Sequence, residues 1–113
     1  MMSDYYESKD LKRFGEIGKF APKLKEKFFA YYNEAVGADG ALTKREKSLI
    51  ALAIAHAGRC PYCIDAYTTQ CLETGSNPEQ MTEAIHVAAA MQAGMSLVHG
   101  VQMHNCLKAK GVL

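Results

Sequence analysis

Apolar side chains return along this chain every three to four positions, the period of a helix, and no segment shows the alternation of a half-buried strand. Glycine, proline and asparagine divide the pattern into helices. A short helix is predicted over residues 11–19, closing near Ala21-Pro22, and a second over residues 22–35. The second carries Leu24, Phe28, Phe29, Tyr31 and Tyr32 as an aromatic stripe at helical spacing, which reads as core. Gly37, Asp39 and Gly40 break it. Thr43-Lys44-Arg45-Glu46 fits a capping box and opens a third helix that runs to about Ala57 and stops at Gly58. Residues 49–55 are apolar on every side, so this helix is expected to be buried all round, in part against another subunit. Cys60 then stands as an N-cap with Pro61 at the first helical position, where its missing N–H costs nothing, and the helix continues to Gly75. Asn77-Pro78-Glu79-Gln80 repeats the start signal. An Ala- and Met-rich stretch over residues 79–109 follows, with Gly94 and Gly100 as candidate breaks. The expectation is an all-α bundle of five to seven helices.

Length and charge narrow the class. A chain of 113 residues predicts one domain, residues 1–113, with a modest core that partner subunits would complete. Thirteen basic and twelve acidic side chains nearly cancel, with no basic stripe, which argues against nucleic acid or an anionic membrane surface as partner. Residues 1–14 are polar and lack the apolar run of a secretory signal, and the longest continuous apolar stretch, residues 49–55, is too short to span a bilayer. A cytoplasmic, non-membrane location is expected, where four cysteines stay mostly reduced.

The chemistry sits in one motif, Cys60-Pro61-Tyr62-Cys63. Two cysteines three apart at a helix start share a face within reach of a disulfide, and the positive helix end favours thiolate over thiol. A cytosolic CxxC in this setting reads as a redox-active dithiol. Structural zinc needs four ligands, usually two close pairs, and only one pair exists here; two buried cysteines without a role are the remaining reading. The same tetrapeptide occurs in glutaredoxins, but that scaffold requires a strand before the motif, and here a capped helix precedes it.

Leu42-Thr43-Lys44-Arg45-Glu46-Lys47-Ser48-Leu49-Ile50-Ala51-Leu52-Ala53 followed by CPYC resembles the core of the AhpD-like alkylhydroperoxidases of the carboxymuconolactone decarboxylase superfamily, over roughly residues 41–92. Tyr5-Tyr6, Phe14-Gly15-Glu16-Ile17-Gly18, the segment CPYCIDAYT from Cys60, and Leu97-Val98-His99-Gly100 look like a subgroup described as arsenosugar biosynthesis-associated peroxidase-like proteins. The resemblance implies an all-helical fold, a homo-oligomer (trimer or hexamer) and peroxide reduction by the CxxC pair. It makes Cys63 the attacking sulfur and Cys60 the resolving one, whereas helix-dipole reasoning favours the more N-terminal thiol as the more acidic. Two relay positions differ. The histidine expected four residues after the second cysteine is Tyr67, and the glutamate expected twelve before the first is Ser48. Glu46, two residues earlier, is turned by about 200° around the helix.

The candidate site is therefore Cys63 and Cys60 with His56, Tyr67, Glu46 and His99 as possible replacements for the relay. His56 and His99 titrate near neutrality. Tyr67 is a hydrogen-bond donor and a poor base. Glu46 doubles as a capping residue. His86 and His104 read as structural or exposed, and Cys71 and Cys106 as buried apolar thiols. The expected activity is a peroxide-reducing or thiol-disulfide enzyme using a small-molecule peroxide and an external thiol reductant, with no flavin, haem or metal. The alternative is a dithiol that captures a soft species such as an arsenical. Lactone decarboxylation, in a branch that does not rely on CxxC, is disfavoured.

Overall fold

The structure, a computed structural model, describes residues 7–113. Tyr5 and Tyr6, part of the resemblance above, lie outside the described residues. A 3₁₀ helix, Ser8–Gly18, is followed by α1 (Pro22–Gly37), α2 (Lys44–Ala57), α3 (Pro61–Glu73), α4 (Pro78–Val98) and α5 (Gly100–Ala109). The long C-terminal stretch breaks at His99, and Gly94 stays inside α4.

Local chemistry sets the ends of the helices that matter for the site. Thr43 Oγ1 accepts the Glu46 N–H at 3.1 Å while Glu46 Oε1 accepts the Thr43 N–H at 2.8 Å, closing the capping box of α2. Asn77 and Gln80 close the same box for α4, at 2.8 and 3.0 Å. Helix α2 ends in a Schellman motif: the Cys60 N–H bonds the Ala55 carbonyl and the Arg59 N–H the His56 carbonyl. The left-handed residue of that motif is Arg59, with φ 52°, one position beyond the glycine at which the helix was expected to stop. The tight reversal delivers Cys60 straight onto the N-cap of α3. A second Schellman turn, with Gly75 at φ 94°, links α3 to α4.

Helix α2 is the hub, packing against α1, α3 and α4. Its Leu52 and Ala55 are buried with Tyr67 and Cys71 of α3, and Tyr32, Val36, Leu49, Ala51, Cys63, Ala66 and Met81 pack around them. The expectation of burial on all sides fails within one chain: Ile50 and Ile54 face outward because α2 has neighbours on only part of its circumference. The aromatic stripe of α1 is corrected in the same way. Leu24 and Tyr31 are exposed, and Phe28 and Phe29 pack edge-on against Phe14 of the 3₁₀ helix instead of entering the core. Cys71 is fully buried as expected, whereas Cys106 on the outer helix α5 is exposed.

Helices α4 and α5 leave Val87, Met91, Met95, Leu97, Val98, Val101 and Met103 uncovered. By length and composition alone the stretch Pro78–Ala109 would suffice to cross a membrane, because alanine and methionine raise its average hydropathy without forming a long continuous apolar run. The radius of gyration is 19.0 Å, against about 13 Å for a compact chain of this length.

Candidate active site

The dithiol is built by the α2–α3 reversal. Cys60 is the N-cap of α3, Pro61 its first residue, and Cys63 sits in the first turn. The Cys63 backbone N–H, otherwise without an intrahelical acceptor, points at Cys60 Sγ at 3.3 Å. The two sulfurs stand 2.7 Å apart as free thiols, near the ~2.05 Å of a bonded pair.

Cys63 does not have the acidified thiol that helix-end reasoning suggests for the motif. Burial, then the hydrogen bond and the charge of Cys60, push it up to about 11. The free N–H of the first turn is spent on Cys60 Sγ, and Cys63 is turned inward against the core. Desolvation therefore outweighs the helix terminus at this sulfur.

Both sulfurs line a cavity of about 580 Å³ whose opposite wall is the 3₁₀ helix. Leu11, Phe14, Ile17 and Ala66 make it largely apolar, and Tyr62 flanks the sulfurs. Eleven residues is long for a 3₁₀ helix, whose bonds are poorly aligned. Here Phe14 anchors it on α1 with ring centroids 4.9 Å from Phe29, and Ser8 Oγ donates to Asp65 on α3 at 2.5 Å. Arg13 lies on the cavity wall, already paired with Asp10 and Glu16.

Two hydrogen-bonded pairs bound the inner end of the cavity. Tyr67, one helical turn after Cys63 and buried, meets Tyr32 of α1 hydroxyl to hydroxyl. Burial above all, then Tyr32, then the nearby Cys63, drive the Tyr67 phenol far above its ordinary range. Gln70, a further turn along, donates from Nε2 to Ser48 Oγ at 2.8 Å, and the fully buried Ser48 hydroxyl donates in turn to the Lys44 carbonyl. The two positions at which the resemblance expects histidine and glutamate thus hold Tyr67 and Ser48, each engaged by a partner from another helix.

The other candidates make local bonds. His56 Nδ1 donates to the Leu52 carbonyl at 2.8 Å, within its own helix. His99 is exposed at the α4–α5 junction and bonds the Met95 carbonyl at 2.6 Å. Glu46 is exposed and occupied by the capping box, whose Thr43 N–H holds its carboxyl below the usual range. The residues lining the dithiol cavity include Cys60, Cys63 and Tyr67 but not these three. Sequence reasoning missed Tyr32 and Gln70. Gln70 was within reach, seven residues after Cys63 and three after Tyr67 on the same ridge of α3. Tyr32 gave no signal, being 35 residues from its partner on a separate helix. Among the described residues no group of three or more His, Cys, Asp or Glu is placed to hold a metal ion.

The profile of the carboxymuconolactone decarboxylase family matches residues 22–103, which takes in α1 through α4 and the first turn of α5. The chain is also 40% identical over 98 residues to a Paracoccus denitrificans protein named "Uncharacterized protein 4 in cox locus", covering 87% of each chain.

Proposed function

The chain belongs to the carboxymuconolactone decarboxylase family, and from that premise we propose that it is a thiol-dependent oxidoreductase reducing hydroperoxides through Cys60 and Cys63. The observation that carries the reading is the pair of free thiols 2.7 Å apart in the wall of a cavity large enough for a small organic molecule. Among the described residues lining that cavity the strongly nucleophilic groups are the two sulfurs, and decarboxylation of a lactone has no use for a dithiol.

The cycle balances with one co-substrate. Cys63 Sγ, as thiolate, attacks the terminal oxygen of the hydroperoxide. The O–O bond breaks, an S–O bond forms, and the other oxygen leaves with a proton as alcohol. Cys60 Sγ then attacks the sulfenic sulfur, the disulfide forms and water departs. An external dithiol restores both thiols by exchange and leaves as its own disulfide. Cys60 suits the resolving role because its sulfur is held beside Cys63 by the N–H of the first helical turn.

We further propose that the working form is a homo-oligomer, a trimer or hexamer, with the apolar faces of α2, α4 and α5 covered by other copies. The chain exposes 8772 Å², about 2,600 Å² more than a compact chain of this mass. Obligate interfaces bury about 1,000–2,500 Å² per chain, so the surplus corresponds to at least one large contact. A dithiol that cycles through the reduced state also suits the cytoplasmic location expected from the polar residues 1–14 and the short apolar stretch at residues 49–55.

The test is a stoichiometric titration of fully reduced protein with an alkyl hydroperoxide. One equivalent should be consumed per chain, with a Cys60–Cys63 disulfide found by mass spectrometry and no consumption by Cys63→Ser. If the peroxide persists while both thiols stay reduced, the reading is wrong. Arsenite binding to the pair would then be measured as the alternative.

A further inference from the structure

Tyr32 and Tyr67 bring two phenols together beside the dithiol, and no motif pairs the two. Both line the cavity that holds Cys60 and Cys63, and their hydroxyls are bonded to each other. Two phenols carry two O–H protons. One lies in the bond between them, and the second is left to donate outside the pair. The surrounding wall of Leu11, Phe14, Ile17 and Ala66 is apolar, and such a setting strengthens any hydrogen bond that is made.

The reaction proposed above has an unmet need in this cavity. Cleavage of the O–O bond places negative charge on the leaving oxygen, which is costly away from water unless a proton is supplied. Two other donors on the wall are engaged, Gln70 Nε2 by Ser48 and the Arg13 guanidinium by Asp10 and Glu16. Tyr67 follows Cys63 by one turn on the same face of α3, close enough for the sulfur's charge to act on its phenol. Its high proton affinity keeps it protonated through the neutral range, so that it is always available as a donor.

Resting on that reading, we propose that Tyr67 donates the proton to the oxygen that leaves when Cys63 attacks, and that Tyr32 is a positioning residue that fixes the Tyr67 hydroxyl. As the S–O bond forms and the O–O bond breaks, the bonding pair goes to the leaving oxygen, which takes the Tyr67 proton. Tyr67 is restored along its hydrogen bond by the Tyr32 proton, and Tyr32 by water in the cavity.

The experiment compares two oxidants that differ in the proton they require. Reduced wild type, Tyr67→Phe and Tyr32→Phe are each mixed with cumene hydroperoxide, whose leaving alkoxide is strongly basic. Each is also mixed with an aryl disulfide whose nitrobenzoate thiolate leaves without a proton. Tyr67→Phe should slow the hydroperoxide reaction by about 100-fold, the scale of general-acid catalysis, and Tyr32→Phe by about 10-fold. The aryl disulfide should react with all three within about twofold, a selectivity that a merely packing role does not produce. Equal slowing of both probes, or an unchanged hydroperoxide rate, overturns the proposal. If wild type reacts with the aryl disulfide but not with hydroperoxide, the peroxide reading fails on its own. The donor role is then read with hydroxyethyl disulfide, whose leaving thiolate is basic: selective slowing in Tyr67→Phe upholds it, and no selectivity overturns it.

Discussion

At the scale of single residues, the balance at Cys63 decides how the dithiol behaves. Its thiol is held up at about 11 by burial and by Cys60, so at neutral pH the thiolate is scarce. If Cys63 is the attacking sulfur, oxidation by hydroperoxide should quicken by about tenfold per pH unit from neutrality to roughly pH 10, followed in single-turnover kinetics. A rate flat above pH 8 would assign the attack to another group. Two of the three causes of the shift come from Cys60. Cys60→Ala should therefore bring the Cys63 midpoint down, as read from the Cβ resonance of labelled cysteine. The stability consequence has the opposite direction to activation. A folded pKa above the unfolded value of 9.0 means that the folded state keeps a proton which the unfolded chain releases, so stability falls as pH rises from about 9 to about 11. Leu52 is the largest of the fully buried side chains, 1% exposed and packed with Tyr67 and Cys71 of α3. Leu52→Ala should cost about 2–5 kcal/mol in urea unfolding.

At the scale of elements, the site depends on how helices end. The α2–α3 reversal puts Arg59 in the left-handed region, where a Cβ is crowded by the neighbouring carbonyl, yet the Cys60 and Arg59 amides are both satisfied by α2 carbonyls. Arg59→Gly keeps those bonds and removes the strain, so it should stabilise the protein by roughly 1 kcal/mol in urea unfolding. A loss of stability would mean that the arginine side chain contributes more than its backbone costs. The capping box of α2 has its own signature. Glu46 is held below the usual carboxylate range by the Thr43 N–H, so its contribution is present above about pH 4.5 and is lost as pH falls through its folded pKa. Glu46→Gln retains an acceptor for the Thr43 N–H but not the charge, so in urea unfolding it should flatten that acid limb by lowering stability at pH 7 toward its acid value. The 3₁₀ helix is the element least able to stand alone, held across the cavity by Phe14 and Ser8.

At the scale of the whole molecule, the chain is more open than its length requires. A radius of gyration of 19.0 Å and exposed rows of Val, Met and Leu on α4 and α5 describe an open chain with much apolar surface uncovered, the surface that the proposed oligomer would cover. Sedimentation equilibrium should give three or six chains per particle. Met91→Glu with Met95→Glu, placing charge on the uncovered face of α4, should shift the mass toward the single chain. A wild-type monomer at micromolar concentration would leave the apolar surface of Pro78–Ala109 to be matched against a lipid bilayer instead.

The sequence by itself determined the helices, their capping boxes and the seat of the CxxC at the start of α3, because these rest on contacts between residues three to five apart. The same locality placed Tyr67 on one ridge with Cys63, and left Gln70 within reach on that ridge though it was missed. What only the tertiary structure decided is what that ridge meets: Tyr32 from α1, Ser48 from α2, and the 3₁₀ helix across the cavity. It also decided that Cys63 is made less acidic, because desolvation depends on how much of the fold closes over a sulfur, and helical spacing carries no record of that. The aromatic stripe of α1 marks the same boundary. Periodicity identified an apolar face, while which part of that face finds a neighbour was settled by packing between helices.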